Sequence, residues 1–150
     1  MTPQQSSKHP KHYASKVWIE RLPAQPLPNV IWTQIQFNIV RVDTLSEYDE
    51  AVTFYFTPVE SGYYWVCAYV TTNTINAASL LGLQWNIGGG AAGLIYKTGT
   101  NQVSERMSIS EIMYLTPTSQ IGVDAYQNTG GARQINPGGH ETMFMIFRIG

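Results

Sequence analysis

The stretch FTPVESGYYWVCAYV, residues 56–70, decides how the rest of the chain is read. A turn over residues 58–62 feeds a run in which Tyr63, Trp65, Cys67 and Tyr69 leave one face of a strand. Tyr64, Val66, Ala68 and Val70 leave the other, because side chains along a strand alternate. A sheet covered on one side and wetted on the other would show a polar set and an apolar set. Here neither set is polar. The final segment TMFMIFRIG repeats the pattern, with Met143, Met145, Phe147 and Ile149 opposite Thr142, Phe144, Ile146 and Arg148. One sandwich core covers one face of each sheet, and apolar patches of this size are rare on soluble monomers. The surplus face is therefore expected to meet other copies of the chain in a closed ring. Tyr63, Trp65, Tyr69, Phe144 and Phe147 are the candidate core and subunit-contact residues, and which of the two alternating sets turns outward stays open.

Composition agrees with an all-strand reading. The 150 residues suit one compact domain. Charged residues make up only 13%, aromatics 12%, and Thr, Asn, Gln, Ser and Gly are plentiful, which favours strands and turns over helices. A net charge of −1 gives no case for a nucleic-acid or membrane-surface partner. The lone Cys67 excludes an internal disulfide and reads as a small buried apolar residue. No apolar run approaches the roughly 18 residues of a bilayer span, and the opening MTPQQSSKHPKHYASK lacks the apolar core of a secretory signal.

The chain divides into an extended basic arm with a Pro-rich connector, residues 1–29, and a strand-rich domain, residues 30–150. The first sixteen residues carry +3, from Lys8, Lys11 and Lys16, and the remainder −4. A short strand is expected at residues 17–20; three prolines in RLPAQPLPN then suggest a connector lying on a surface. Beyond it, VIWTQIQFNIVRV, AVTFYFTPV, the aromatic stretch, SLLGLQWNIGGG, GLIYKTG, SERMSISEIMYL, QIGVDAYQ and HETMFMIFRI read as strands joined by short turns. Such a series indicates an antiparallel sandwich or barrel.

The residues resemble those of the jelly-roll globular heads of the tumour necrosis factors and of the complement q subunit. FNIVRVDTLSEYD (residues 37–49) and FTPVESGYYWV (56–66) follow that family's Phe-Asn, Tyr-Asp and Phe-x-x-Pro-x-x-Gly-x-Tyr pattern. YLTPTSQIGVDAYQ and TMFMIFRIG lie in matching order near the end, although the family's late Gly-Asp turn is Pro117-Thr118-Ser119-Gln120 here. The resemblance implies an antiparallel jelly-roll sandwich that forms a homotrimer about a three-fold axis. Collagen-like repeats are absent, so the setting resembles a bacteriophage virion protein, made in the host cytoplasm and carried on the capsid surface. In that setting a capsid decoration (cement) protein is expected, with the major capsid protein as partner. Lys8, Lys11, Tyr13, Lys16 and Trp18 are the candidate anchoring residues. The alternatives are a glycan-recognising head of a phage fibre, with Trp85, Tyr96 and Tyr126 as candidate sugar contacts, or a bacterial surface binding module.

Catalytic chemistry finds little purchase. The histidines are His9, His12 and His140, none beside a nucleophile in a recognisable pattern. GGGAAG (residues 88–93) lacks the Gly-Lys-Ser/Thr ending of a phosphate loop and reads as a hairpin. Asp43, Glu47, Asp49 and Glu50 do not match calcium-loop spacing. The chain is expected to be no enzyme, with no metal and no cofactor.

Overall fold

A computed structural model describes residues 14–138 and 140–150. Eleven strands and no helix run through these residues: β1 (Lys16–Glu20), β2 (Gln25–Leu27), β3 (Thr33–Gln34), β4 (Ile39–Asp43), β5 (Gly62–Asn73), β6 (Leu80–Ile87), β7 (Gly90–Thr98), β8 (Ser104–Leu115), β9 (Ile121–Gln127), β10 (Arg133–Ile135) and β11 (Met143–Arg148). They form two antiparallel sheets. The larger runs β4-β1-β11-β5-β8, with β10 and β2 continuing beside the far end of β5; the smaller runs β3-β9-β6-β7.

The ambiguity in β5 resolves cleanly. Tyr64, Val66, Ala68 and Val70 are fully buried and meet Leu81, Leu83 and Trp85 of β6 and Ile121, Val123 and Ala125 of β9 in one core. In β11, Phe144 and Ile146 also point inward and are fully buried. Phe144 is the hub of an aromatic cluster, its ring centroid 5.6 Å from Phe37, 6.2 Å from Trp85 and 6.3 Å from Tyr48. Phe144 therefore belongs to the sandwich core and not to a face that could join subunits. Two buried phenols find backbone acceptors: Tyr64 donates to the Glu60 carbonyl at 2.7 Å and Tyr48 to that of Phe37 at 3.1 Å.

Three sequence expectations change. The domain begins before residue 30, because β1 is hydrogen-bonded between β11 and β4 and its Val17 and Ile19 are fully buried. The Pro-rich connector enters the sheet as well: among the described residues β2 pairs only with β10, an edge position that tolerates Pro26 and its missing N–H, while Leu27 fills the core. AVTFYFTPV is no strand. Asp49 accepts N–H groups from Ala51, Val52 and Thr53 and winds the chain into a turn, so that only Phe56 bridges to Tyr48 and Ile121.

The glycine run behaves as a hairpin. Gly88 and Gly89 take φ of 56° and 89° between β6 and β7, the left-handed geometry that two-residue hairpins need. Gly62 has a different reason: a Cβ there would lie 2.4 Å from the Gly150 carbonyl oxygen, where the chain end pairs with Tyr63.

Truncating the hub tests this core. Phe144→Ala should cost about 3–5 kcal/mol in denaturant unfolding, whereas Tyr63→Ala, at an exposed position, should leave the stability of a single copy nearly unchanged.

Candidate functional site

The outer face of the larger sheet carries the surplus apolar side chains. Strand register sets them in rows: Tyr63 faces Tyr114, while Trp65 sits between Ile112 of β8 and Phe147 of β11. Tyr63 is 55% exposed, and Ile112 and Tyr114 are each 60% exposed. The rings organise one another, Tyr63 edge-on to Tyr114 at 5.2 Å and Trp65 against Phe147 at 5.6 Å. Cations border the patch: Lys16 Nζ stands 5.7 Å from the Phe147 ring, and the Arg106 guanidinium 4.9 Å from that of Tyr69. Between them Cys67 is buried, and burial pushes its thiol up from the ordinary value. It stays a thiol and packs as a small apolar group.

Of the candidate anchoring residues, Lys8, Lys11 and Tyr13 lie outside the described residues. Lys16 and Trp18 do not belong to a detached arm: both are in β1, opposite Phe147 and Met145.

The outer face of the smaller sheet holds a second aromatic group. Tyr126 of β9 and Tyr96 of β7 flank Gly82 of β6 in one row. Trp32, just ahead of β3, lies over that row with its centroid 5.2 Å from Tyr126 and 6.2 Å from Tyr96. Gly82 is required here, because a Cβ would come within 2.9 Å of both Trp32 and Tyr96. Trp85, expected beside these tyrosines, is instead fully buried in the core, since its parity in β6 is opposite to that of Gly82. Trp32 takes its place. Its signal in the sequence is parity too: it alternates against Ile35 and Phe37, both buried, and so faces away from them.

Two residues along the same strands Gln84 pairs with Asp124, and Asn86 follows two residues further on. Asn86 Nδ2 donates to both Asp124 oxygens at 3.0 and 3.2 Å, and Gln84 Nε2 to Asp124 Oδ2 at 3.2 Å. Asn86 Oδ1 in turn accepts from the Tyr55 hydroxyl and the Gly89 N–H, each at 2.9 Å, which fixes the amide's orientation. Burial first, then the Asp124 charge, raises the Tyr55 phenol above its ordinary value. The segment before Trp32 is strained. Val30 has φ 52°, a conformation costing a β-branched residue about 1–3 kcal/mol, and its N–H is held by the Gln127 carbonyl at 2.7 Å.

The acidic segment around residue 47 does structural work. Asp43 accepts N–H groups from Leu45, Glu47 and Tyr48, and Glu47 accepts from the Val59 N–H and the Ser15 hydroxyl. Among the described residues no group of three or more His, Cys, Asp or Glu is placed to hold a metal ion.

Comparison with known proteins gives the class. No family model and no curated protein matches the chain. Solved structures do. The globular domain of zebrafish complement 1qA protein matches with TM-score 0.66 at 13% identity, over 91% of this chain and 98% of that one. Eiger, a tumour necrosis factor from S. frugiperda, matches with TM-score 0.68 at 7% identity, over 91% and 93%. Murine APRIL matches with TM-score 0.69 at 9% identity, over 91% and 100%. The fold is an all-β antiparallel jelly roll, similar to that of these tumour necrosis factor and complement 1q domains. At these identities the likeness is one of fold.

The electrostatics of β8 yield an acid-stability prediction. Burial alone would raise the Glu105 carboxyl, but Lys97 and the Thr100 hydroxyl and N–H outweigh it and hold the group at about 2, below the ordinary 4.5. Backbone N–H groups hold Asp49 at about 2 as well. A carboxyl depressed in the folded state stabilises it fully above the ordinary value and loses that contribution as pH falls towards the folded one. Denaturation midpoints should thus decline between pH about 4.5 and about 2, and Glu105→Gln should make the decline shallower without removing it.

Proposed function

We propose that the chain is a non-enzymatic structural and binding module that assembles as a homotrimer through the outer face of its larger sheet and serves as a capsid decoration protein. The observation that carries the assembly is the patch of Tyr63, Trp65, Ile112, Tyr114 and Phe147, ordered by ring-on-ring contacts yet open to water. Three subunits converging there would bury it, and the resemblance to trimeric jelly-roll heads supports that arrangement. The capsid setting rests on less: a basic leading segment with Lys8 and Lys11, set on a domain of net negative charge, suits attachment to an acidic, grooved particle surface. A glycan-recognising fibre head is the second reading, favoured by Tyr96, which is 51% exposed on the sheet that trimerisation leaves free.

Light scattering at micromolar concentration should return three times the 16.8 kDa chain mass. Ile112→Glu, which places a charge at the centre of the patch, should give a monomer with unchanged far-UV circular dichroism. A monomeric wild type, or an intact trimer in the Ile112→Glu variant, would remove this face from the interface.

Attachment is tested separately by deleting residues 1–13. The cut must stop there, because Thr44 Oγ1 donates to the Ala14 carbonyl at 3.2 Å and the Arg148 N–H to that of Ser15 at 3.0 Å. The truncated trimer should keep its melting temperature and lose particle binding, and binding of the full chain should weaken as salt rises. Full retention of binding would move the contact to the jelly roll itself.

A further inference from the structure

We infer that the outer face of the smaller sheet is a binding site for a neutral sugar ring, with Trp32, Tyr96 and Tyr126 as its platform and the Gln84–Asp124–Asn86 row as its hydroxyl-reading edge. The site is independent of the assembly and attachment proposed above.

The rings present faces and leave no hole. Tyr96 and Tyr126 are 6.3 Å apart and inclined at 80°, and Trp32 bridges them at 35° and 48°. At these separations the rings touch one another, so no cage remains between them for a methylated ammonium group, which would need to be encircled by ring faces. What remains is a stepped apolar surface floored by Gly82. Flat apolar ligand faces fit such a surface, and the C–H face of a pyranose is one.

The polar partners are already oriented. Outward positions on a strand recur every two residues, about 6.7 Å, so a ring resting on the aromatic row brings its rim to the Gln84–Asp124 pair, while Asn86, one step further, holds the Asp124 carboxylate from behind. Asp124 accepts three hydrogen bonds from the two amides, one short of the roughly four that two carboxylate oxygens can take. Gln84 Oε1, Trp32 Nε1 and the Tyr96 and Tyr126 hydroxyls have no hydrogen-bond partner among the described residues, and Gln84 and Asp124 are held in place by burial, 7% and 8% exposed. A carboxylate hemmed by amides suits a ligand rich in hydroxyl donors. It repels an acidic sugar, and among the described residues no Lys or Arg pairs with Asp124 to relieve that repulsion. Val30, whose backbone is held at positive φ two residues before Trp32, fits a segment whose geometry is set by the ligand surface and not by local comfort.

The test uses the full chain and two-dimensional 1H–15N NMR. It is titrated in turn with the methyl glycosides of glucose, galactose, mannose and N-acetylglucosamine, then with sialic acid and choline. At least one neutral glycoside should shift the Trp32 indole N–H, the Gly82 amide and the Gln84 and Asn86 side-chain amides together. Tyr96→Ala removes an exposed ring without touching the core and should weaken that glycoside by about tenfold or more, the loss of one stacking contact. Asp124→Asn should weaken it comparably while leaving the Trp32 shift direction unchanged. The monomeric Ile112→Glu variant should bind the monovalent glycoside as the wild type does. Silence with all four glycosides, shifts confined to other surfaces, or a response to choline or sialic acid in their place would each overturn the proposal.

Discussion

Every other feature of the molecule depends on which face of β5 is turned inward. Tyr64, Val66, Ala68 and Val70 lock against β6 and β9, and the two-residue period of a strand then commits Tyr63, Trp65 and Tyr69 to the opposite side. A slip of one residue would exchange the two sets, and it is resisted from several directions at once. The Tyr64 hydroxyl reaches the Glu60 carbonyl, Phe56 meets the Tyr64 ring edge-on at 5.7 Å, and Gly62 admits the chain end where no side chain would fit. Because β8 pairs with β5 along its whole length and β11 along half of it, their outward residues inherit the same commitment. The exposed patch is thus a consequence of the core: a sheet whose central strand is apolar on both faces has one face left over.

The smaller sheet solves the opposite problem. Its inner face is as apolar as that of its partner, but its outer face mixes aromatic and amide side chains around one glycine. Gly82 weakens a strand interior by offering no side chain to pack. Its neighbours compensate, because Trp32 and Tyr96 lie on the space that a Cβ would fill. Val30's strained backbone is held in the same way, by the Gln127 carbonyl that accepts its N–H at 2.7 Å.

Legibility followed parity. Alternation alone separated the two faces of β5 and β11, and turn chemistry gave the hairpin at Gly88 and Gly89 and the all-β antiparallel class. What alternation could not supply was the choice between faces, which depends on partners distant in sequence; Phe144 was therefore grouped with Phe147, although the two diverge into core and surface. Trp85 misled for the same reason. It stands between two polar residues, Gln84 and Asn86, and only the pairing of β6 with β9 and β7 shows that these face out while the indole faces in. Proline content hid the other error. Pro26 forbids a central strand but not an edge one, and sequence cannot say that β10 would arrive to pair with it on one side alone.

The two faces act together through geometry. Sheets of a sandwich stand about 10 Å apart with their outer faces opposed, so copies that meet through the larger sheet must direct their smaller sheets away from the shared axis. Each aromatic platform then looks outward, free of the others. A shallow platform on a flat sheet encloses little of a sugar ring, and single-site affinity is bound to be modest. Repetition changes that balance, because a second contact made by an already tethered trimer is intramolecular and draws on an effective concentration that a free monomer never experiences. Were the proposed trimer laid on a particle in many copies, the same gain would extend across that surface. The surplus apolar face of β5, first legible as a puzzle in fifteen residues, is on this view what turns a weak, solvent-open platform on the opposite sheet into a useful one.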